Sequence, residues 1–89
     1  MQFMVIERFR HGSPGPAGER FRLIGRMLPE DVTYLASWMD SSGTRCYQLM
    51  EALDRESLDA WIAAWNDLIE FEIVPVLPSG DYWAQKQLE

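Results

Sequence analysis

The alternation of apolar and polar residues changes its period within one stretch, Asp54 to Leu77. The first half repeats apolar side chains at the spacing of a helix, namely Leu58, Trp61, Ile62, Trp65 and Leu68. In the second half Ile69, Phe71 and Ile73 alternate with glutamates, which is the period of a half-buried strand. Because a helix with a wide aromatic stripe needs a sheet to cover, this stretch predicts an α+β domain.

Three strands and one helix are predicted before this stretch. The first strand, Gln2–Phe9, is apolar on both faces at its centre. A helix from Pro16 to about Leu28 has one apolar stripe and ends before a proline; the stripe consists of Ala17, Phe21, Ile24 and Leu28. Val32–Asp40 and Thr44–Glu51 flank a Ser-Ser-Gly turn and form a hairpin.

Regular alternation along the first hairpin strand predicts its two faces. One face carries Val32, Tyr34, Ala36 and Trp38. The other carries Leu35, Ser37 and Met39.

The resulting order, βαββαβ, is the ferredoxin-like pattern, a four-stranded antiparallel sheet with strand order 4-1-3-2. The fourth strand runs from Ile69 to Leu77, and its Pro75 suits an edge position. Right-handed crossovers place both helices on one face of the sheet. Residues 1–77 are therefore predicted to form a single ferredoxin-like domain. Residues 78–89 form a C-terminal tail with about one helical turn.

The helix-free face of this sheet is apolar whichever way the first strand is oriented. Either Phe3 with Val5 or Met4 with Ile6 must point away from the helices. Residues that could join them are Leu35, Met39, Tyr47, Leu49, Val74 and Val76. Exposure of several such side chains forfeits several kcal/mol. A homodimer stacked through this face, a dimeric α+β barrel, is therefore predicted. The alternative is a monomer whose tail folds across the sheet.

Charge and cysteine content narrow the function classes. A formal net charge of −6 disfavours a nucleic-acid binder, because phosphate recognition needs clustered Lys and Arg. Five arginines within residues 8–26 could hold an anionic ligand or an acidic partner, although arginine on an outer helix face is usually solvated. The single cysteine, Cys46, allows no internal disulfide, and the N-terminus resembles neither a signal peptide nor a membrane span. A cytoplasmic location without a membrane partner is expected.

Six separated blocks resemble the small bacterial proteins grouped as Domain of Unknown Function 3303. The blocks are Met4–Glu7, Gly25–Glu30, Tyr34 with Ser37–Trp38, Arg45–Glu51, Trp61–Leu68 and Phe71–Val76. The resemblance extends over residues 1 to about 77. It implies a compact dimeric α+β barrel, a fold shared with small ligand-binding proteins, cofactor-free oxygenases and stress-related domains. It supplies no catalytic residue, because that family has no assigned activity.

Residue types suited to catalysis are few and scattered. His11, the one histidine, lies in a loop without an adjacent partner and is expected to be solvated. Cys46 falls in a central strand and is expected to be buried as a small hydrophobe. Glu70 and Glu72 share one strand face, as paired catalytic carboxylates do, but alternating acids on an edge strand are typical of a solvated face. No cofactor and no metal site is predicted.

The least ordinary polar residue is Gln48, mid-strand in a central position, where its side chain needs a partner or lines a cavity. Trp38 and Tyr47, on the paired hairpin strands, could form an apolar cleft wall with polar tips. Together with Arg8 and Glu51 they form the predicted ligand-binding site, between helices and sheet or in the dimer cleft. The alternative is that both aromatic residues belong to the core or the interface.

The preferred function is non-catalytic binding of a small apolar ligand or a protein partner by a small dimeric domain. The alternative is a cofactor-free enzyme of the dimeric-barrel type, oxygenase- or isomerase-like. Such an enzyme would act on a hydrophobic substrate polarised by Arg8, His11 or Gln48. The sequence leaves open whether the protein is an enzyme. A closed cavity with polar tips would indicate a site, whereas a flat, filled interface would not.

Overall fold

A computed structural model describes residues 1–88 of the chain. The strands are β1 (Gln2–Phe9), β2 (Thr33–Met39), β3 (Arg45–Glu51) and β4 (Ile69–Val76). The helices are α1 (Gly15–Ile24), α2 (Asp59–Trp65) and α3 (Ser79–Leu88), with 3₁₀ turns at Arg10–Gly12 and Glu56–Leu58. The predicted α+β class and ferredoxin-like order are confirmed. Residue 89, the last of the predicted tail, lies outside the described residues.

The four strands form one antiparallel sheet in the order β2-β3-β1-β4, which is the predicted strand order. β1 and β3 are central, and at the middle of the sheet Val5 pairs with Gln48 on β3 and with Ile73 on β4. Pro75 lies on the edge strand β4. Proline has no N–H to donate, and an edge strand tolerates this because it is hydrogen-bonded to a neighbour on one side only.

The core lies between the sheet and α2. Phe3, Val5 and Glu7 of β1 alternate with half-buried residues and point toward the helices. The predicted aromatic stripe supplies the other layer, since Trp61 and Trp65 are buried and the Trp61 ring meets the Phe71 ring edge-on at 5.4 Å. The apolar stripe of α2 is therefore buried against the helix-facing side of the sheet.

The first helix ends earlier than predicted. Gly25 has φ 71°, and its N–H donates to the carbonyl oxygen of Phe21 at 2.8 Å. A glycine in the left-handed region ends the helix there, so the expected extension to Leu28 is wrong. The predicted stripe is buried at Ala17, whereas Phe21 and Ile24 are about half exposed.

The predicted faces of β2 are wrong beyond Tyr34, because the strand is bulged. The register slips by one residue between Tyr34 and Ala36. An extra residue in a bulge exchanges the two faces of a strand. As a result Ser37 shares the helix side with Tyr34, while Ala36 and Trp38 point to the helix-free side.

The helix-free face of the sheet is defined by Met4 and Ile6 on β1, which settles the orientation left open by the sequence. Their neighbours on this face are Ala36, Trp38, Tyr47, Leu49, Val74 and Val76. Met39, one of the residues that could have joined this face, lies on the helix side, because it pairs with Cys46. The tail forms a ten-residue helix, α3, so the prediction of about one helical turn is wrong. Its described side chains, residues 79–86, are all exposed, so the tail does not fold across the sheet. Among residues 1–88 no helix combines the length and hydropathy needed to cross a membrane.

Candidate functional site

A cavity of about 210 Å³ lies between α1, α2 and the sheet, and we call it the helix–sheet cavity. Most of its wall is apolar and aromatic, formed by Phe9, Ala17, Phe21, Met39, Trp61, Trp65 and Ile69. Its polar lining consists of the side chains of Glu7, Arg26, Ser37, Cys46 and Gln48. An apolar pocket with a few convergent polar groups is the usual form of a small-molecule site.

Glu7 is the most unusual of these polar residues. It follows Phe3 and Val5 on the inward face of β1 and is 4% exposed. Its carboxylate Oε2 accepts a hydrogen bond from Gln48 Nε2 at 2.6 Å. Burial raises the pKa of Glu7 from 4.5 to about 7, although the Gln48 bond and the Arg26 charge oppose the shift. The carboxyl group therefore titrates near neutral pH.

Gln48 connects Glu7 to Arg26. Arg26 Nε donates to Gln48 Oε1 at 3.3 Å, and the guanidinium lies 3.7 Å from the centre of the Tyr34 ring. Gln48 thus uses its oxygen toward the cation and its nitrogen toward the acid, so one amide links a positive to a negative group. The arginine predicted to be solvated on α1 instead lies in the loop after it and faces the cavity.

The loop that carries Arg26 is held in place from α2. Trp65 Nε1 donates to the carbonyl oxygen of Arg26 at 2.9 Å. The Trp65 ring is itself covered by the guanidinium of Arg20, 5.6 Å from the ring centre, which also pairs with Asp67 at 2.8 Å. The same tryptophan that walls the cavity therefore anchors the backbone of the loop that carries Arg26.

Cys46 lies beside Glu7, since the two residues pair across β3 and β1. Burial raises the pKa of the Cys46 thiol to about 11, and the Glu7 charge adds to this while Arg26 opposes it. The group is therefore a neutral thiol at pH 7 and is not activated as a nucleophile. It is half-buried at the cavity wall, where it can report on occupancy.

The structure separates the predicted ligand-binding set into two places. Gln48 lines the helix–sheet cavity. The other four residues point to the opposite side of the sheet and lie on the helix-free face, namely Arg8, Trp38, Tyr47 and Glu51. On that face Arg8 Nη1 lies 3.0 Å from Glu72 Oε1, and Trp38 is opposite Tyr47.

The other residues considered for chemistry lie outside the cavity. His11 is exposed in the 3₁₀ turn after β1, with φ 66°. Glu70 and Glu72 are exposed on the edge strand β4, as expected for a solvated face. Within the described part of the chain, no three His, Cys, Asp or Glu side chains cluster as metal ligands would.

Sequence reasoning missed Glu7 and Arg26. Glu7 has a detectable signal, because it shares the parity of Phe3 and Val5 in the most apolar strand. An acid on the inward face of such a strand must be paired, protonated or functional. Arg26 has no comparable signal, because its direction depends on the left-handed turn at Gly25 and Met27, with φ 71° and 58°.

Comparison with known proteins adds a family and no function. A family model described as "Domain of unknown function (DUF3303)" matches residues 1–86, so the match continues into α3. No curated protein matches the chain, and no solved structure does. A chain matched over nearly its whole length is a member, and this protein belongs to the DUF3303 family.

Proposed function

We propose that the protein binds a small, largely apolar molecule in the helix–sheet cavity. The observation that supports this most is the hydrogen-bonded chain from buried Glu7 through Gln48 to half-buried Arg26, which lines one side of a cavity walled by aromatic side chains. The size suits one ring, since an apolar cavity of about 150 Å³ holds benzene and this cavity measures about 210 Å³.

The polar chain implies that the ligand has one polar end. A wholly apolar molecule against Glu7 would remove water from a carboxyl group without replacing its hydrogen bonds, which is costly. A carbonyl or hydroxyl oxygen directed at Arg26 would compensate, while the ring contacts Trp61 and Phe21. Single-ring ketones and alcohols therefore fit the site best.

Binding of cyclohexanone and benzyl alcohol, measured by ligand-observed NMR, tests this function. We expect Ala17→Leu to weaken binding about tenfold or more, because it adds volume to the cavity wall. Ala63→Leu, the same change at an exposed position of α2, is the control and should leave binding unchanged. Either ligand should also slow alkylation of Cys46 by iodoacetamide. Equal binding by both variants, or none by the wild type, would refute the proposal.

We also propose that the protein forms a homodimer through the helix-free face. The middle of this face is apolar, and Trp38 is 54% exposed there. One end carries Arg8 and Arg45 beside the acidic edge strand with Glu70 and Glu72. A two-fold axis would let the acids of one copy approach the arginines of the other. In such a dimer the cleft between the two sheets would be lined by the predicted site residues that lie on the helix-free face, namely Arg8, Trp38, Tyr47 and Glu51.

The shape of the chain supports a second copy. Its radius of gyration is 14.5 Å, whereas a compact chain of this length has about 12 Å. An isolated ten-residue helix is marginal in water, and α3 exposes Tyr82 and Trp83. We propose that residues 1–77 form the domain, while α3 extends toward the partner. A reducing compartment such as the cytoplasm would keep the Cys46 thiol free.

Light scattering during gel filtration tests the dimer. We expect twice the single-chain mass of 10.3 kDa for the wild type. Ile6→Lys should give the single-chain mass, because it places an ammonium group on the helix-free face, where a stacked second copy would exclude water from it. Leu53→Lys, at an 81% exposed loop residue, is the control and should stay dimeric. A wild-type mass of one chain at high concentration would contradict the proposal.

A further inference from the structure

One carboxylate oxygen of Glu7 is available to a molecule bound in the helix–sheet cavity. Oε2 accepts the bond from Gln48, while Oε1 accepts none from the described residues. None of the described side-chain oxygens and nitrogens is both fully buried and unpaired, so Oε1 keeps accessible surface. Because Glu7 is 4% exposed and lines the cavity, that surface faces the cavity.

A positive group with available donors lies on the same wall. Arg26 uses Nε to donate to Gln48, whereas its two terminal nitrogens donate no hydrogen bond to the described residues. Its guanidinium carbon lies 3.7 Å from the centre of the Tyr34 ring and 5.1 Å from the centre of the Phe21 ring. No ion pair joins it to Glu7 within the described residues, because the Gln48 amide stands between them. The two opposite charges are thus separated and both face the cavity.

We propose that Glu7 is the general base, and Arg26 the electrophile, of a proton transfer at a carbon atom next to a carbonyl group. This inference rests on the proposed binding of a small apolar molecule in the same cavity. The substrate class is a neutral single-ring ketone with a β,γ carbon–carbon double bond, and the product is its conjugated α,β isomer.

The reaction balances without an oxidant or a cofactor. Glu7 Oε1 takes the α-proton, the C–H electron pair forms a new C=C bond, and the carbonyl π pair moves to oxygen. The enolate oxygen then accepts hydrogen bonds from the terminal nitrogens of Arg26, which stabilise its negative charge. Protonated Glu7 returns the proton to the γ-carbon, the original double bond shifts, and the carbonyl group is restored.

The basicity of Glu7 suits this step. A pKa of about 7, raised by burial, gives a carboxylate that is a stronger base than an exposed one and is about half ionised at pH 7. Among the described residues, the other charged or titratable groups lining the cavity are Arg26 and Cys46, and Tyr34 lies beneath Arg26. The parts of α1, α2 and β4 that line the cavity contribute apolar residues and glycine.

Isomerisation of cyclohex-3-enone tests the inference. It is followed by the ultraviolet absorption of the conjugated enone and by NMR exchange of the α-protons in deuterated water. We expect the wild-type rate to rise with pH to a plateau, with a midpoint near the Glu7 pKa of about 7. Glu7→Gln should lower the rate by about 10²–10⁴-fold, while the binding constant for cyclohexanone changes by about threefold or less.

Two further variants separate catalysis from structure. Arg26→Met should lower the rate without moving α1, since Trp65 holds the backbone of residue 26 rather than its side chain. Glu30→Gln removes an exposed acid from the loop between α1 and β2, away from the cavity and from the helix-free face, and is the matched control for Glu7→Gln, so its rate should equal that of the wild type.

Each outcome decides between the two proposals. Turnover by Glu7→Gln at the wild-type rate overturns the assignment of Glu7. Binding of cyclohex-3-enone with no exchange above that caused by free acetate overturns the catalytic inference and leaves the binding function standing. Failure of the wild type to bind either ketone overturns both proposals.

Discussion

Replacement of Glu7 by glutamine is expected to stabilise the fold at pH 8 by about 3 kcal/mol. Folding raises the pKa of this carboxyl group from 4.5 to about 7, so the folded chain holds its proton more tightly than the unfolded chain. Above pH 7 the proton is lost from both states, and the buried charge destabilises the folded state alone. Glutamine has the same shape and can accept the bond from Gln48 Nε2 without the charge.

The same linkage fixes how wild-type stability depends on pH. Between about pH 4.5 and 7 the unfolded state binds fewer protons than the folded state, so stability falls as the pH rises. Asp40 and Asp67 act in the opposite direction and at lower pH, because their folded pKa values are lowered. Their contribution is complete above the ordinary Asp pKa of 3.8 and does not oppose the fall near neutrality.

Urea denaturation at pH 5 and pH 8 measures the effect. Wild type and Glu7→Gln should be similar at pH 5, and the variant should be the more stable at pH 8. Glu30→Gln is the control, because its side chain is exposed in the loop between α1 and β2, where substitutions usually change stability by about 0.5 kcal/mol or less. A Glu7→Gln variant that is less stable than the wild type at pH 8 would show that Glu7 is a structural residue.

A stabilising Glu7→Gln change would also bear on function. A buried acid that lowers stability at neutral pH needs a reason other than folding, and groups of this kind concentrate at functional sites. The stability experiment needs no ligand and no substrate. It therefore tests whether Glu7 is kept for a reason other than folding, independently of the binding and turnover measurements.

The elements that the sequence predicts well are those defined by local pattern. β1 has the predicted bounds, Gln2–Phe9, because a dense apolar run is followed by turn formers. Pro75 identifies the edge strand correctly, because a residue without an N–H cannot donate to a strand on each side and is therefore confined to the edge of a sheet. Leu58, Trp61 and Trp65 are buried as expected, because one helical stripe can face only one sheet.

The errors arise where backbone geometry is not encoded in residue spacing. The bulge after Tyr34 exchanges the faces of β2, and nothing in an alternating sequence indicates which residue is skipped. Gly25 ends α1 although apolar residues continue at helical spacing to Leu28. That early end directs Arg26 into the cavity, so half of the charged pair was not predictable from pattern.

For the site itself, Gln48 was predictable and its partner was overlooked. A polar side chain in a central strand requires a partner, and the pairing of β3 with β1 brings Gln48 against Glu7. Register is needed to name that partner, because a shift by one residue would put Gln48 on the other face. The sequence predicts that β3 lies beside β1. The contact between Gln48 and Glu7 then follows once the register of these two strands is known.

Leu58→Ala is expected to lower the free energy of unfolding by about 2–5 kcal/mol. Leu58 is 0% exposed, at the end of the 3₁₀ turn that leads into α2, and it packs in one cluster with Trp61 and Met50. Removal of its side chain leaves a void between helix and sheet that close-packed neighbours can only partly fill. A small domain has little stability in reserve, so this loss approaches a large fraction of the total.

Leu53→Ala is the matched control, because the same atoms are removed from a residue that is 81% exposed five positions earlier in the chain. Its expected effect is within about 0.5 kcal/mol. Urea denaturation at pH 5, where Glu7 is protonated and wild-type stability is near its maximum, gives the clearest comparison. Because Trp61 and Trp65 of α2 wall the helix–sheet cavity, Leu58→Ala should also weaken cyclohexanone binding, whereas Leu53→Ala should not. Equal stability of the two variants would mean that α2 is not held against the sheet by this cluster.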